Sequence, residues 1–114
     1  MTFKDGSNSN YGTAIVGTVS GTSISFGTKA VIKSQNLVVV GSVFDSTHNK
    51  VLISYMQDLG GASSDRSELV VGTVSGTSIS FGTALEFVAG QAYNQSLAHD
   101  TSSGKNVLVY RDIN

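Results

Sequence analysis

The sequence predicts an all-β fold of two four-stranded antiparallel repeats, and two observations carry this prediction. The string GTVSGTSISFGT occurs twice, at residues 17–28 and 72–83, which is an offset of 55 residues. Each 55-residue period also consists of short runs rich in β-branched residues, separated by Gly, Ser, Asp and Asn, as in strands joined by turns. The 114 residues therefore amount to little more than two periods, and we assign the repeats to residues 1–59 and 60–114.

The elements of one period follow from its apolar runs and its turn residues. Ser20-Gly21 and its equivalent Ser75-Gly76 lie where a two-residue hairpin turn needs a positive φ, which Gly tolerates best. Residues 45–50 and 100–105 are polar and predict a second hairpin turn in each period, and residues 57–67 predict the connector. The strands of the first period, expected to form an up-and-down meander, are residues 12–19, 23–32, 36–44 and 50–57.

One segment fits two structures when it is considered alone. Residues 84–99 contain good helix formers, and Leu85, Val88 and Ala92 have a rough three-to-four spacing. Their repeat partner, residues 29–44, is rich in Val and indicates strands. Because equivalent segments of a duplication are expected to share a structure, we predict strands for both.

The alternation of large and small residues predicts stacked sheets. In residues 23–28, Ile24 and Phe26 point to one face, and the small residues Ser23, Ser25 and Gly27 point to the other. Sheets that stack face to face, as the blades of a β-propeller do, suit this arrangement, and the period is close to the ~50 residues of kelch units. Each repeat is therefore predicted to be a four-stranded propeller blade.

Two blades cannot close a propeller, which has ~4 to 8 of them. An isolated pair would expose an apolar sheet face at each end, so we expect a cyclic homo-oligomer in which other copies cover these faces, with three chains favoured over four. A chain cut from a longer repeat array is one alternative. A monomeric β-sandwich of eight strands is another.

The first residues resemble the end of a repeat. Thr2–Asp5 and Val109–Asp112 both carry an aromatic residue followed by a base and then an acid. Residues 2–5 are therefore predicted to be a remnant of the last strand of a preceding unit. A partial strand of this kind could close a ring by strand exchange.

Composition and charge exclude several classes of protein. Seven basic residues face eight acidic ones without a basic cluster, so we expect no nucleic-acid partner. No apolar run approaches the ~20 residues of a membrane span, and the N-terminal residues lack the apolar stretch of a signal peptide, so no membrane insertion is expected. With no Cys, disulfides and thiolate metal sites are also excluded.

The residues that carry most enzyme chemistry form no recognisable catalytic pattern. His48 and His99 occupy non-equivalent positions of the two periods and have no metal-ligand spacing. Asp45 and Asp100 are equivalent, but each precedes a turn, where a carboxylate commonly accepts backbone N–H groups. There is no GxSxG motif. We therefore predict a protein that is not an enzyme, with no catalytic residue, no metal and no cofactor.

Binding candidates lie in the connectors and hairpins, which would meet at one rim of a propeller. Amide, carboxylate and guanidinium groups beside a flat aromatic ring satisfy sugar hydroxyls, so glycan binding is a hypothesis for this rim, and a ring would repeat each weak site. The same residue types are also the default composition of exposed loops. The candidates are Asn8, Asn10, Tyr11, Asp65, Arg66, Arg111 and Asp112.

Residues 11–28, YGTAIVGTVSGTSISFGT, together with residues 43–55, VFDSTHNKVLISY, resemble tandem repeats of marine bacteriophage tail-fibre-like or adhesion-like proteins and of environmental sequences. The resemblance covers both periods, and residues 90–100 depart from it by losing the Val run. It implies a propeller-like repeat in a virion or on an extracellular surface, and no site residues. The expected role is a structural or receptor-binding module, with a purely structural self-assembling repeat as the alternative.

Overall fold

The structure, a computed structural model, describes residues 1–113 apart from the side chains of Val39 and Val40, and all of its regular elements are strands. Asn114, the last residue of the second predicted repeat, lies outside the described residues. Within residues 1–113 there is no helix long and apolar enough to cross a membrane. The strands are β1 Thr2–Asp5, β2 Tyr11–Ala14, β3 Gly17–Ser20, β4 Ser23–Phe26, β5 Ala30–Asp45, β6 Lys50–Gln57, β7 Arg66–Ser75, β8 Ser78–Phe81, β9 Leu85–Val88, β10 Ala92–Asp100 and β11 Lys105–Asp112.

The all-β prediction is confirmed, but the strands do not divide into two four-stranded sheets of one period each. One sheet runs β1-β2-β5-β6-β7-β8, with β9 also paired to β7, while β3–β4 and β10–β11 form two-stranded sheets. The large sheet crosses the repeat boundary because β6 pairs with β7 over seven consecutive positions, from Val51↔Gly72 to Gln57↔Arg66. This pairing satisfies the backbone groups that a sheet ending at the boundary would leave open.

Several strand bounds also differ from the prediction. The strand expected at residues 12–19 is divided into β2 and β3, whereas its equivalent β7 is continuous. The strands expected at 23–32 and 36–44 are instead the short β4 and the long β5. Residues 84–99 contain strands β9 and β10 and no helix, which confirms the interpretation taken from the repeat.

The pairing pattern repeats with the same 55-residue offset as the sequence. Gly12↔Lys33 between β2 and β5 matches Ser67↔Val88 between β7 and β9. Gly21 and Gly76 both have φ 58°, so each hairpin turn uses the left-handed conformation predicted for it. The duplication is therefore conserved at the level of the hydrogen-bonded register.

Strand β1 occupies, in the first repeat, the position that β6 occupies in the second. Phe3 lies opposite Thr13, and its counterpart Tyr55 lies opposite Glu68, which is 55 residues after Thr13. Asp5↔Tyr11 corresponds in the same way to Gln57↔Arg66. Residues 2–5 thus pair as the last strand of a preceding unit would, the arrangement that the match to residues 109–112 predicts.

The hydrophobic core draws on both repeats. Leu37, Ile53, Tyr55 and Val70 form its buried centre, and Ile32, Val51, Phe81 and Ala84 pack around them. Fully burying a side chain of this size stabilises a fold by roughly 1.5–3 kcal/mol. Since Val70 and Phe81 belong to the second repeat, the first repeat has no complete core of its own.

One core position is filled by opposite choices in the two repeats. In the first, Leu37 is fully buried beside Gly12, where an added β-carbon would overlap Leu37 Cδ1. In the second, the equivalent residues are Ala92 and Ser67, both fully buried. Ser67 Oγ donates to Gly90 O and accepts from Ala92 N. A large residue beside Gly and a small one beside Ser therefore fill similar volumes.

Gly12→Ser should lower the free energy of unfolding by about 1–3 kcal/mol, because the new side chain overpacks Leu37. The double variant Gly12→Ser/Leu37→Ala recreates the Ser67/Ala92 pair and should be at least about 1 kcal/mol more stable than the sum of the single changes, although Leu37→Ala alone costs about 2–5 kcal/mol. Denaturant unfolding at one fixed protein concentration measures these differences.

The matched control is Gly61→Ser, because a β-carbon there meets no atom within 4 Å. If Gly12→Ser is as stable as Gly61→Ser, the close contact with Leu37 is not a packing constraint.

Candidate functional site

The turns of the two equivalent hairpins, β5–β6 and β10–β11, meet at the carboxylate of Asp45. Its side chain is 8% exposed and accepts hydrogen bonds from His48 N at 2.9 Å and from Asn106 Nδ2 at 2.6 Å. The His48 ring adds a contact from Nδ1 at 3.0 Å, and His99 Nε2 lies 3.7 Å away. Asp45 caps its own turn as predicted, and it also joins the two hairpins.

His99 is the central side chain of this junction, with only 5% of its surface exposed. Its Nδ1 lies 3.1 Å from Asn106 Oδ1, an atom that can only accept, so Nδ1 carries the proton and donates. Nε2 is then left to accept from the Thr47 hydroxyl at 3.2 Å. The chain of hydrogen bonds runs Thr47, His99, Asn106, Asp45, and it ties both turns together.

The meeting of His48 and His99 was missed by the sequence argument, which treated them as unrelated because their repeat positions differ. The equivalent of His99 is Phe44, a residue that precedes Asp45 in its strand. Had the two hairpins been stacked in the sequence-based picture, the residue at position 99 would have faced the turn of the preceding hairpin. The signal was therefore the strand parity, and the spacing of the histidines carried no information.

Electrostatics favour the ionised form of Asp45. Burial alone raises the pKa of this carboxyl group, but the hydrogen bonds from Asn106 and from the amide and ring of His48 lower it further. The net pKa of Asp45 lies well below the ordinary value of an aspartate. A charged acceptor with several donors makes strong hydrogen bonds, so the junction is a charge-assisted clamp.

A cavity of about 300 Å³ lies beside the junction, lined by Asp45, His48, Lys50, Leu52, Val71 and Asn106. Its polar side belongs to the clamp, and Lys50 Nζ donates to Thr73 Oγ1 at 2.9 Å. Among residues 1–113, no group of three or more His, Asp or Glu side chains is arranged to hold a metal ion. The contacts of this site hold strands together and leave no unengaged acid–base pair.

The residues predicted for the rim lie at the connector ends of the sheets. Tyr11 begins β2, Arg66 begins β7, and Arg111 and Asp112 end β11. Asn8 and Asn10 are exposed in the turn between β1 and β2, where Asn10 has φ 59°. The register places these ends on the same side, since Tyr11 is opposite Asn36 and Leu37 is opposite Gln57.

Some of these side chains are engaged within the chain. Asp65 is 3% exposed and accepts from Leu59 N and Gln91 Nε2, so it orders the connector. The Arg66 guanidinium donates to the carbonyls of residues 63–65, and its Nε lies 3.2 Å from Glu86 Oε2. Arg111 lies over the Tyr93 ring at 5.8 Å. Glycan binding at this rim stays a prediction, carried by the exposed Asn8 and Asn10.

Apolar side chains are exposed in one repeat where their equivalents are covered in the other. Ile24 and Phe26 are 56% and 53% exposed, while the equivalent Phe81 packs on the core. Val107 and Val109 are 51% and 62% exposed, whereas their equivalents Leu52 and Ser54 are half-buried and buried.

The same contrast holds for Phe44, which is 55% exposed although its equivalent His99 is buried against the preceding hairpin. In each pair, the covered member has a neighbouring repeat beside it.

The glycines that follow β4 and β8 show this difference in the backbone. Gly27 packs so closely on the hairpin turn of the second repeat that a β-carbon would overlap the carbonyl oxygen of Thr77. Gly82 is its equivalent within the identical string, yet its nearest such contact is Val71 O at 3.8 Å. The surface over Gly82 is thus shaped like one that receives a hairpin turn.

Comparisons of this chain with protein-family models, with curated proteins and with solved structures find no match.

Asp45→Asn should destabilise the protein at neutral pH, because it removes the charge from the clamp. The folded pKa of Asp45 lies below its unfolded value of about 3.9, so the carboxylate adds stability above that pH and loses this contribution as the pH falls toward the folded pKa. The difference in unfolding free energy between wild type and Asp45→Asn should be constant from about pH 7 to 5 and shrink below about pH 4. Urea unfolding across this range measures it, and a difference that stays constant down to pH 3 would contradict the clamp.

Proposed function

We propose that this chain is a non-enzymatic structural module of the β-propeller type, in which copies complete one another in a closed ring. The observation that carries the proposal is the matched set of exposed and covered apolar residues. Ile24, Phe26, Phe44, Val107 and Val109 are all more than half exposed, and each has an equivalent that a neighbouring repeat covers. A contiguous apolar surface of this kind indicates a missing partner.

The pairing of the strands suggests how copies would fit. Consecutive strands β5, β6, β7 and β8 pair in order and antiparallel, which corresponds to one four-stranded blade across the repeat boundary. Hairpin β10–β11 is equivalent to the β5–β6 half of this unit. Strands β2, β3 and β4 are equivalent to its β7–β8 half.

In the proposal, the C-terminal half of one copy and the N-terminal half of the next form a second blade. Each chain then contributes two blades to the ring. Three chains give six blades and four give eight, both within the ~4 to 8 of known propellers, and we favour three.

The setting of the module is proposed from the resemblance to phage tail-fibre-like and adhesion-like repeats. A ring of identical chains is suited to a fibre or a surface protein, where it would serve as a scaffold. Receptor binding would be an additional role of the exposed connector rim, where three copies would repeat the Asn8 and Asn10 turn and raise avidity.

Light scattering coupled to size exclusion tests the proposal. We expect a mass of three times the 11.8 kDa of one chain for the wild type. Val109→Asp should shift the mass to that of a single chain, because it places a charge on a surface that the next copy would bury. Ala62→Asp, in the exposed connector, is the matched control and should leave the assembly intact.

A folded wild-type chain that has the mass of a monomer at every concentration overturns the proposal and favours a small stand-alone β protein.

A further inference from the structure

We propose that β1 is a placeholder, and that β11 of a second copy displaces it and pairs with β2 and β3. This inference rests on the proposed self-assembly and goes beyond it by naming the two strands and their register. In the described residues, β11 pairs with β10 alone, so its other edge is open. Open strand edges are templates for pairing with another chain.

The register follows from the chain's own repeat junction. There, β6 pairs with β7 so that Val51 lies opposite Gly72 and Ser54 lies opposite Leu69. Moving each strand by one 55-residue period gives Asn106 opposite Gly17 and Val109 opposite Ala14 of the next copy. The interface thus continues one that the chain already contains.

The residues of β1 and β11 that compete for β2 match in kind. Thr2, Phe3, Lys4 and Asp5 lie opposite Ala14, Thr13, Gly12 and Tyr11. In the inferred register, Val109, Tyr110, Arg111 and Asp112 take these positions. An aromatic residue, a base and an acid are therefore replaced by an aromatic residue, a base and an acid, and the side chains around β2 meet the same chemistry.

The interruption between β2 and β3 shows what β1 leaves unpaired. The equivalent strand β7 is continuous, and the positions equivalent to Ile15 and Val16 pair there with Ile53 and Leu52. Strand β1 begins at Thr2 and reaches only as far as Ile15, through reciprocal hydrogen bonds between Met1 and Ile15. Strand β11 is twice as long as β1, and its Leu108, Val107 and Asn106 would pair with Ile15, Val16 and Gly17.

The contacts that hold β1 in place are transferable. Lys29 Nζ lies 2.9 Å from Asp5 Oδ2 and 5.6 Å from the centre of the Phe3 ring, and the Lys29 side chain is 53% exposed. An exposed ion pair of this kind contributes little to stability. In the exchanged arrangement, Asp112 and Tyr110 of the incoming strand would offer Lys29 the same carboxylate and the same kind of ring.

A reversible lock on β1 tests the inference. Thr2 and Ala14 are directly opposite, and the chain has no Cys, so Thr2→Cys/Ala14→Cys introduces one disulfide that staples β1 to β2. The oxidised variant should have the mass of one chain by light scattering, and a reductant should restore the mass of the wild-type assembly. If the oxidised, folded variant assembles as the wild type does, β1 is not displaced and the inference is wrong.

A second pair reads out the register directly. Val109→Cys/Ala14→Cys should form disulfides between copies and give covalent oligomers on a non-reducing gel. Leu108→Cys/Ala14→Cys, one position out of register, is the matched control and should remain mostly uncrosslinked. Equal crosslinking of both pairs, or of the control only, overturns the register.

The two proposals fail in different ways. A wild-type chain that never assembles removes the proposed function. An assembly that ignores the lock and the register pair removes only the strand exchange.

Discussion

The pairing of β6 with β7 is the interaction on which the rest of the structure depends. It joins the last strand of the first repeat to the first strand of the second, over seven consecutive positions. The same pairing brings Ile53 against Val70, so that the hydrophobic core is shared between the repeats. Neither repeat can be described as a unit with its own sheet and core, since the sheet is completed by its neighbour.

This dependence on a neighbour accounts for both ends of the chain. At the N-terminal end, β1 stands in for the strand that a preceding repeat would supply, and it leaves β2 and β3 separated. At the C-terminal end, hairpin β10–β11 buries one face on β5 and β6 and presents Val107 and Val109 on the other. Both ends therefore carry surfaces that the repeat junction, in the middle of the chain, shows how to cover.

Much of the fold was predictable because a duplication constrains it twice. The strand assignment of residues 84–99 and the positive φ of Gly21 and Gly76 followed from comparing the periods. The grouping of strands was not predictable, because the strand pattern does not state which edge pairs with which. The Asp45–His99 junction depends on the stacking of two hairpins, and the Leu37–Gly12 contact on packing across strands, so neither has a signature in local spacing.

Amide hydrogen exchange of β11, followed as a function of protein concentration, tests the central claim most directly. If the β6–β7 pairing is the template for contacts between copies, the amides of residues 106–112 become as protected at high concentration as those of residues 51–57, and they lose this protection on dilution. Residues 106–112 that exchange as an open strand edge at every concentration, beside protected residues 51–57, would contradict the account.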